Sequence, residues 1–234
     1  MRTKIIFLRW FDLFLLSILL FGIPFLSSSL GYIDLISGQN TVDEMLTIDP
    51  REHYEMILFE CVSLVIAFIY LKIRNFDFKR LSIQPSWTAL GQAIIIFLIG
   101  TISMDVFMLL SNLFLPPVAD ETQINSTLIV PWWGFSSILF SLINGFYEEI
   151  FFLGLCLTVK PEHIKWVLIY SLFVRFSFHT YQGMQVALGI GFVYGLLMYL
   201  MYTRLKPRNL FPFFIAHSIA DVFGLGLLSY FSFH

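Results

Sequence analysis

The chain is 234 residues long, of which 58% are hydrophobic, 18% aromatic and 13% charged. A mean hydropathy of +0.80 excludes an ordinary soluble domain, in which about 25% of residues are charged. The net charge of −2 gives no sign of a nucleic-acid partner. Composition therefore predicts an integral membrane protein whose main neighbours are lipids.

Seven apolar segments come close to the roughly 20 residues that a helix needs to cross a bilayer. The first is interpreted as a retained helix rather than a signal peptide, because its apolar part is long and contains Asp12. The third is long enough to break near Gly100, which would give an eighth helix. We expect one all-α, polytopic membrane domain over residues 1–234, with about seven transmembrane helices. The segments are 10–32, 55–73, 88–115, 132–159, 164–181, 184–203 and 209–232.

The basic residues predict the orientation of these segments. Every Lys and Arg except Arg51 and Arg175 precedes the first segment or lies at the second, fourth or sixth connection. Acidic residues crowd the remaining connections. Because cytoplasmic connections are enriched in Lys and Arg, the N-terminus is predicted to be cytoplasmic and His234 to lie on the opposite side. The expected location is a bacterial cell membrane.

Glu148 and Glu149 are the most informative residues, because they lie in an otherwise uncharged apolar segment. An ionised carboxylate in hydrocarbon costs about 2.5–3.5 kcal/mol even on insertion scales, so such residues are usually functional. Candidate partners are His179 and the pair His217 and Asp221 on later segments. Helical rise places all of them about 13–21 Å from the predicted cytoplasmic ends. The sequence therefore predicts one polar site inside the membrane.

These residue types suit the hydrolysis of a peptide bond in two ways. A carboxylate beside imidazoles can act as a general base towards water, and histidines can donate to a developing oxyanion. Alternatively, Glu148, His179 and His217 could hold a divalent metal that activates a bound water. Cys61 and Cys156 indicate neither a disulfide framework nor a metal site. No cofactor is certain from the sequence.

Three blocks of the chain resemble the motifs EExxxR, FxxxH and HxxxN/D of a known family. This is the CAAX-prenyl protease and bacteriocin-processing (CPBP, or Abi) family of intramembrane proteases. The resemblance covers about 130–225 in the same order and spacing, and it implies a catalytic core preceded by about three accessory transmembrane helices. The blocks are Glu148-Glu149-Ile-Phe-Phe-Leu153-Gly154, Arg175-Phe-Ser-Phe-His179 followed by Thr180-Tyr181-Gln182-Gly183, and His217-Ser-Ile-Ala-Asp221.

The family resemblance implies a role for each matching residue. Glu148 would activate the water, and His179 would assist or orient it. His217 and Asp221 would polarise the carbonyl or bind the oxyanion. Glu149 would pair with the arginine of the first motif.

Two positions depart from that pattern. Leu153 stands where the first motif has arginine, and Arg175 stands where the second has phenylalanine. An unpaired carboxylate and an unpaired arginine are each costly in an apolar interior. We therefore hypothesise that Arg175 is the charge partner of Glu149, supplied from a different helix.

The predicted function is an intramembrane endopeptidase that cleaves a membrane-associated peptide or protein through a glutamate-activated water. One alternative is an inactive family member that acts as a bacteriocin-immunity or scaffold membrane protein. A second is a transporter with Glu60, Asp105 and Glu149 as a proton path, although no inverted repeat is evident. Structural roles are favoured for Glu60 and Asp105. The sequence identifies neither the substrate nor the oligomeric state.

Overall fold

The computed structural model describes residues 3–42, 46, 48–114 and 134–228. Within these ranges the chain is helical, and its extended pairing is limited to a bridge between Ile5 and Phe76. The predicted all-α class is confirmed. The main helices are α1 (Trp10–Ile36), α2 (Pro50–Ile73), α3 (Trp87–Phe114), α4 (Phe135–Leu155), α5 (Ile164–Ser177), α6 (Met184–Arg204) and α7 (Phe211–Phe223).

Five of these helices, α1 to α4 and α6, are long and apolar enough to cross a bilayer, with 21 to 28 residues each. The chain is therefore an integral, multi-pass membrane protein. The other two predicted spans are shorter than expected, since α5 has 14 residues and α7 has 13. Helix α3 is continuous through Gly100, so no break there creates an eighth helix.

Local chain geometry explains why α5 and α7 are short. Helix α5 ends at Ser177, and the chain then makes a tight turn over Thr180–Gln182 that leads to Gly183, at φ +91°. Helix α7 ends at Gly224, at φ +81°. Glycine reaches positive φ without the penalty that a Cβ imposes, so it commonly terminates helices. The last residues of the predicted segment 209–232 lie outside the described part of the chain.

Helix α4 occupies the centre of the bundle. Of its most apolar 18-residue stretch 61% is buried, whereas the same measure is 33%, 22% and 28% for α1, α2 and α3. Those three helices turn large apolar side chains outward, towards lipid. Helix α4 packs against α7 on one side and α2 on another. The glutamate pair is therefore carried by the most enclosed of the five long helices.

The basic connections meet at one end of the bundle. The hydrogen bond that Lys4 donates to Asp77, at 3.1 Å, holds the pKa of that carboxyl below its ordinary value. This shared end is what an alternating topology requires, and its cytoplasmic placement stays a prediction. The connections are joined by backbone hydrogen bonds from Ile5 to Asn75, from Leu8 to Thr158 and from Leu210 to Ser82, at 2.9, 2.7 and 2.8 Å.

Candidate active site

The two glutamates lie at the point where α4 changes its winding. The helix is regular over Phe135–Glu149 and becomes π-helical over Ile150–Leu155. Such wide turns are rare and are frequently found at functional sites. The change in winding begins directly after Glu149, and Leu153 lies within it. It therefore separates the carboxylates from the position where the family motif has its arginine.

One oxygen of Glu149 joins three helices. Its Oε1 accepts a hydrogen bond from Arg175 Nη2 on α5 at 2.7 Å and another from His217 Nδ1 on α7 at 2.8 Å. Glu149 is fully buried, and Arg175 is 2% exposed. Because a carboxylate oxygen accepts, the His217 proton on this side is placed on Nδ1. The ring of His217 is thereby fixed in orientation.

Arg175 lies beside the position that the family motif gives to arginine. Its guanidinium covers the ring of Phe152, 4.2 Å from the ring centre. Leu153, Arg175 and Gly195 line the same small cavity. A Cβ at Gly195 would come within 3.3 Å of the Arg175 side chain, so glycine allows α6 to approach closely. This arrangement allows Arg175 to take the place of the motif arginine that is absent at position 153.

Glu148 is buried beside the same groups but is not held by them. Its Oε2 lies 3.8 Å from Arg175 Nη1 and 3.8 Å from His217 Nε2. Both separations exceed hydrogen-bond distance. Within the described residues this oxygen has no hydrogen-bond partner. Glu148 therefore keeps lone pairs that can accept a proton.

Asp221 forms the outer edge of the cluster. Its Oδ1 lies 3.5 Å from His217 Nε2, one turn earlier on α7, and its side chain is 23% exposed. Its Oδ2 accepts a hydrogen bond of 2.8 Å from Asn144 Nδ2. Asn144 lies on α4, one turn before Glu148, and was not predicted as a site residue. The sequence feature that could have indicated Asn144 is the presence of a polar amide in an apolar segment.

His179 lies beyond the end of α5, not within a span as the sequence predicted. Its side chain is buried, and its Nδ1 donates to the backbone oxygen of Arg175 at 2.7 Å. A carbonyl oxygen only accepts, so in the neutral imidazole Nε2 is left as an acceptor. The turn after α5 thus orients His179 through the residue that also binds Glu149.

The metal set expected from the sequence differs from the group that the structure brings together. Glu148, Glu149 and His217 each offer one donor atom within 4.8 Å of the others, and His179 is not part of this group. Arg175 already donates to one of the two carboxylates and lies 3.8 Å from the other. A divalent cation on the same oxygens would face this fixed positive charge. The cluster therefore fits a metal ion poorly.

Buried polar atoms without a hydrogen-bond partner concentrate around this cluster. Buried polar groups are normally paired, and exceptions often have a catalytic role. By contrast, the buried Asp12 accepts from Arg74, from the hydroxyl of Tyr70 and from the backbone of Arg9. In the described part of the chain the unpaired side-chain atoms are Oε2 of Glu60, Glu148 and Glu149, Nη1 of Arg175 and the hydroxyl of Tyr194.

Tyr194 is a second residue that sequence reasoning missed. It ends the π-helical turn Gly189–Tyr194 in α6, and its ring lies edge-on to His217 with the ring centres 6.3 Å apart. A Cβ on Gly100 would lie 2.8 Å from this ring. No sequence signal distinguishes it, because a tyrosine in an apolar helix is ordinary.

Residues 130–223 match the model of one protein family, the type II CAAX prenyl endopeptidases described as Rce1-like. The match agrees with the family resemblance predicted from the sequence over these residues. The residues that match the Rce1-like model include α4 to α7, and with them Glu148, Glu149, Arg175 and the two site histidines. No curated protein and no solved structure matches the chain.

Proposed function

We propose that this protein is an intramembrane endopeptidase that hydrolyses a peptide bond of a membrane-associated peptide or protein. One observation supports this most strongly: Glu148 is buried beside Arg175 and His217, yet its Oε2 has no hydrogen-bond partner within the described residues. The family to which 130–223 is matched is one of endopeptidases. Chemistry and family thus point to the same class of reaction.

Glu148 is the residue that activates the water. An unpaired carboxylate in an enclosed site can accept a proton from a water molecule while the water oxygen attacks the scissile carbonyl. His179, with Nδ1 donating to Arg175, has Nε2 available to accept the second O–H of that water. The two acceptors together would orient the oxygen lone pair towards the substrate.

His217 is the group that faces the developing oxyanion. Its Nδ1 is held by Glu149, and its Nε2 is directed towards the space between Glu148 and Asp221. With Nδ1 already donating to Glu149, a second proton on Nε2 makes the ring an imidazolium, which would donate a hydrogen bond to the carbonyl oxygen as negative charge develops there. Donors fixed in advance are effective because they need no rearrangement during the reaction.

Arg175 and Glu149 are positioning residues in this scheme. Glu149 binds the arginine and the histidine through the same oxygen, so its charge is used to hold other groups. This leaves Glu148 as the carboxylate that reacts. Breaking a buried pair by removing one partner costs about 3–5 kcal/mol, so both residues are also needed for folding.

The matched family supports a first candidate for the substrate class. Its members are described as CAAX prenyl endopeptidases, so the first candidate is a peptide with an isoprenoid thioether on a cysteine three residues from its carboxyl end. A lipid-modified peptide would reach a site inside the bilayer by lateral movement. Leader peptides and peptides destined for secretion are the other candidates.

The second candidate function is an inactive family member that acts as an immunity or scaffold protein. The observation in its favour is the loss of the motif arginine, since position 153 is leucine. The geometry of Arg175, which donates to Glu149 at 2.7 Å, weighs against it. An inactive family member would not need Arg175 to replace the motif arginine beside Glu149.

Cleavage of defined peptides by the protein in lipid vesicles tests the proposal. The probes are a quenched fluorescent peptide with a farnesylated C-terminal CAAX sequence and an unprenylated leader peptide. Wild type should cleave at least one of them, and Glu148→Gln should lower kcat by about 100-fold or more. If neither wild type nor the variant cleaves a probe, the proposed endopeptidase function is wrong. If both cleave equally, Glu148 does not activate the water.

A further inference from the structure

Helix α2 lies outside the matched segment, yet it carries a buried carboxyl, that of Glu60. Glu60 is 5% exposed, and its helix packs along α4. Its Oε2 lacks a hydrogen-bond partner within the described residues. Lipid-facing or loop positions would not enclose a carboxyl in this way.

The register between α2 and α4 indicates where Glu60 lies. His53 Nδ1, near the start of α2, lies 3.3 Å from Ser136 Oγ, near the start of α4. Glu60 is about two turns further along α2, in the direction of the part of α4 that carries Glu148. Glu60 therefore lies between these two helices on the approach to Glu148.

Tyr147, which precedes Glu148 on α4, donates its hydroxyl to the backbone oxygen of Leu20 and not to either carboxyl. The unpaired oxygens of Glu60 and Glu148 thus belong to two helices that pack together.

A structural role does not account for Glu60. Two other acids in this bundle have donors that account for their placement: Asp12 is bound by Arg74, and Asp105 Oδ2 accepts the backbone N–H groups of Leu227 and Leu228 at 2.9 and 3.1 Å. Glu60 forms no such bonds at Oε2. An intramembrane carboxyl without a structural partner is a functional candidate by default.

We propose that Glu60 is a second catalytic carboxyl, which forms a dyad with Glu148 and donates the proton that the carbonyl oxygen receives. The inference rests on the proposed endopeptidase function. Two facing carboxylates repel each other in a low dielectric, so such a pair is most stable when it holds one proton. One member can then accept a proton while the other donates.

The dyad balances every proton in the reaction. Glu148 takes a proton from water as the water oxygen bonds to the carbonyl carbon, and Glu60 gives its proton to the carbonyl oxygen. The resulting diol breaks at the C–N bond, and the amine nitrogen receives the proton from Glu148. A diol hydroxyl returns a proton to Glu60, which restores the starting state. His217 supports the same oxygen by hydrogen bonding.

Glu60→Gln tests the dyad, and Glu55→Gln is its matched control. Glu55 lies on the same helix, with its side chain 63% exposed and bound to Arg51. In vesicles with the farnesylated peptide, Glu60→Gln should lower kcat by about 100-fold and change KM less than about twofold, because only proton transfer is lost. Glu55→Gln should match wild type. Retention of wild-type kcat by Glu60→Gln would overturn the dyad.

A folding defect is separated from a catalytic one by a second variant. Glu60→Asp keeps the carboxyl, so it should recover part of the activity that Glu60→Gln loses, at an unchanged thermal unfolding midpoint. Equal losses in both variants, together with a lowered midpoint, would assign Glu60 a structural role and overturn the dyad. If Glu148→Gln is inactive while Glu60→Gln is not, the dyad alone fails. If wild type cleaves neither probe, both proposals fail.

Discussion

Arg175 Nη2 and Glu149 Oε1 form a fully buried ion pair of 2.7 Å between α5 and α4. The family motif places its arginine on the same helix as the glutamate, four residues on, where this chain has Leu153. Here the positive charge comes from the neighbouring helix. The pair thus couples the packing of α4 and α5 to the electrostatics of the site.

The exchange of Leu153 and Arg175 tests this relationship. Arg175→Phe should lower the free energy of unfolding by about 3–5 kcal/mol, because it leaves Glu149 buried without its partner. Adding Leu153→Arg should restore much of that loss and part of the activity, since both side chains line the same cavity. Thermal unfolding and peptide cleavage would be measured on both variants. A double variant no better than Arg175→Phe would refute the exchange.

Gly145 controls how closely α4 approaches α7. A Cβ at this position would lie 2.5 Å from Ser218 Oγ and 2.6 Å from the backbone oxygen of Phe214. Overpacking of this kind typically costs about 1–3 kcal/mol. Gly145→Ala should therefore lower the unfolding midpoint and reduce kcat, because α7 carries His217. Gly91→Ala is the control, since nothing lies within 4 Å of its added methyl; a harmless Gly145→Ala would contradict this packing.

Asp221 should tolerate asparagine but not leucine. The third motif of the family has asparagine or aspartate at this position, and an amide oxygen can still accept from Asn144, as Oδ2 does at 2.8 Å. Asp221→Asn should keep kcat within about tenfold of wild type, whereas Asp221→Leu should lose about 100-fold through loss of the polarising group. The kinetics of both variants on the farnesylated peptide decide this. Equal, severe losses would mean that the charge itself is required.

Removal of divalent metals should leave the activity unchanged. Arg175 already compensates the two carboxylates of the candidate metal group, so the proposed reaction needs no Lewis acid. Cleavage rates before and after exhaustive chelation with a membrane-permeant chelator would be compared. Loss of activity that is restored by one specific metal would show that the group of Glu148, Glu149 and His217 binds a cation.

Much of this arrangement follows from sequence, for physical reasons. Charged residues are so costly in apolar segments that Glu148, Glu149 and His217 could be predicted to meet, and the structure places them together. The pairing of Arg175 with Glu149 is hypothesised on the same ground, because each charge would be costly without a partner in an apolar interior. The individual catalytic roles of these residues stay predictions.

Other features could not be predicted because they depend on packing between helices. The sequences of the π-helical turns over Ile150–Leu155 and Gly189–Tyr194 show the same apolar pattern as an ordinary membrane helix. The early end of α5 places His179 in a turn, which hydropathy does not detect. Asn144 and Tyr194 are ordinary residues by type, and only their neighbours make them part of the site.

The single oxygen of Glu149 that binds α5 and α7 has a consequence for the biogenesis of the protein. Until α7 is inserted, the hydrogen bond between His217 and Glu149 cannot form, so the site lacks the contact that orients this histidine. Assembly of the site thus depends on the insertion of α7. An endopeptidase of the proposed kind would therefore be inactive until α7 joins the bundle, and it would not cleave other nascent membrane chains beside it.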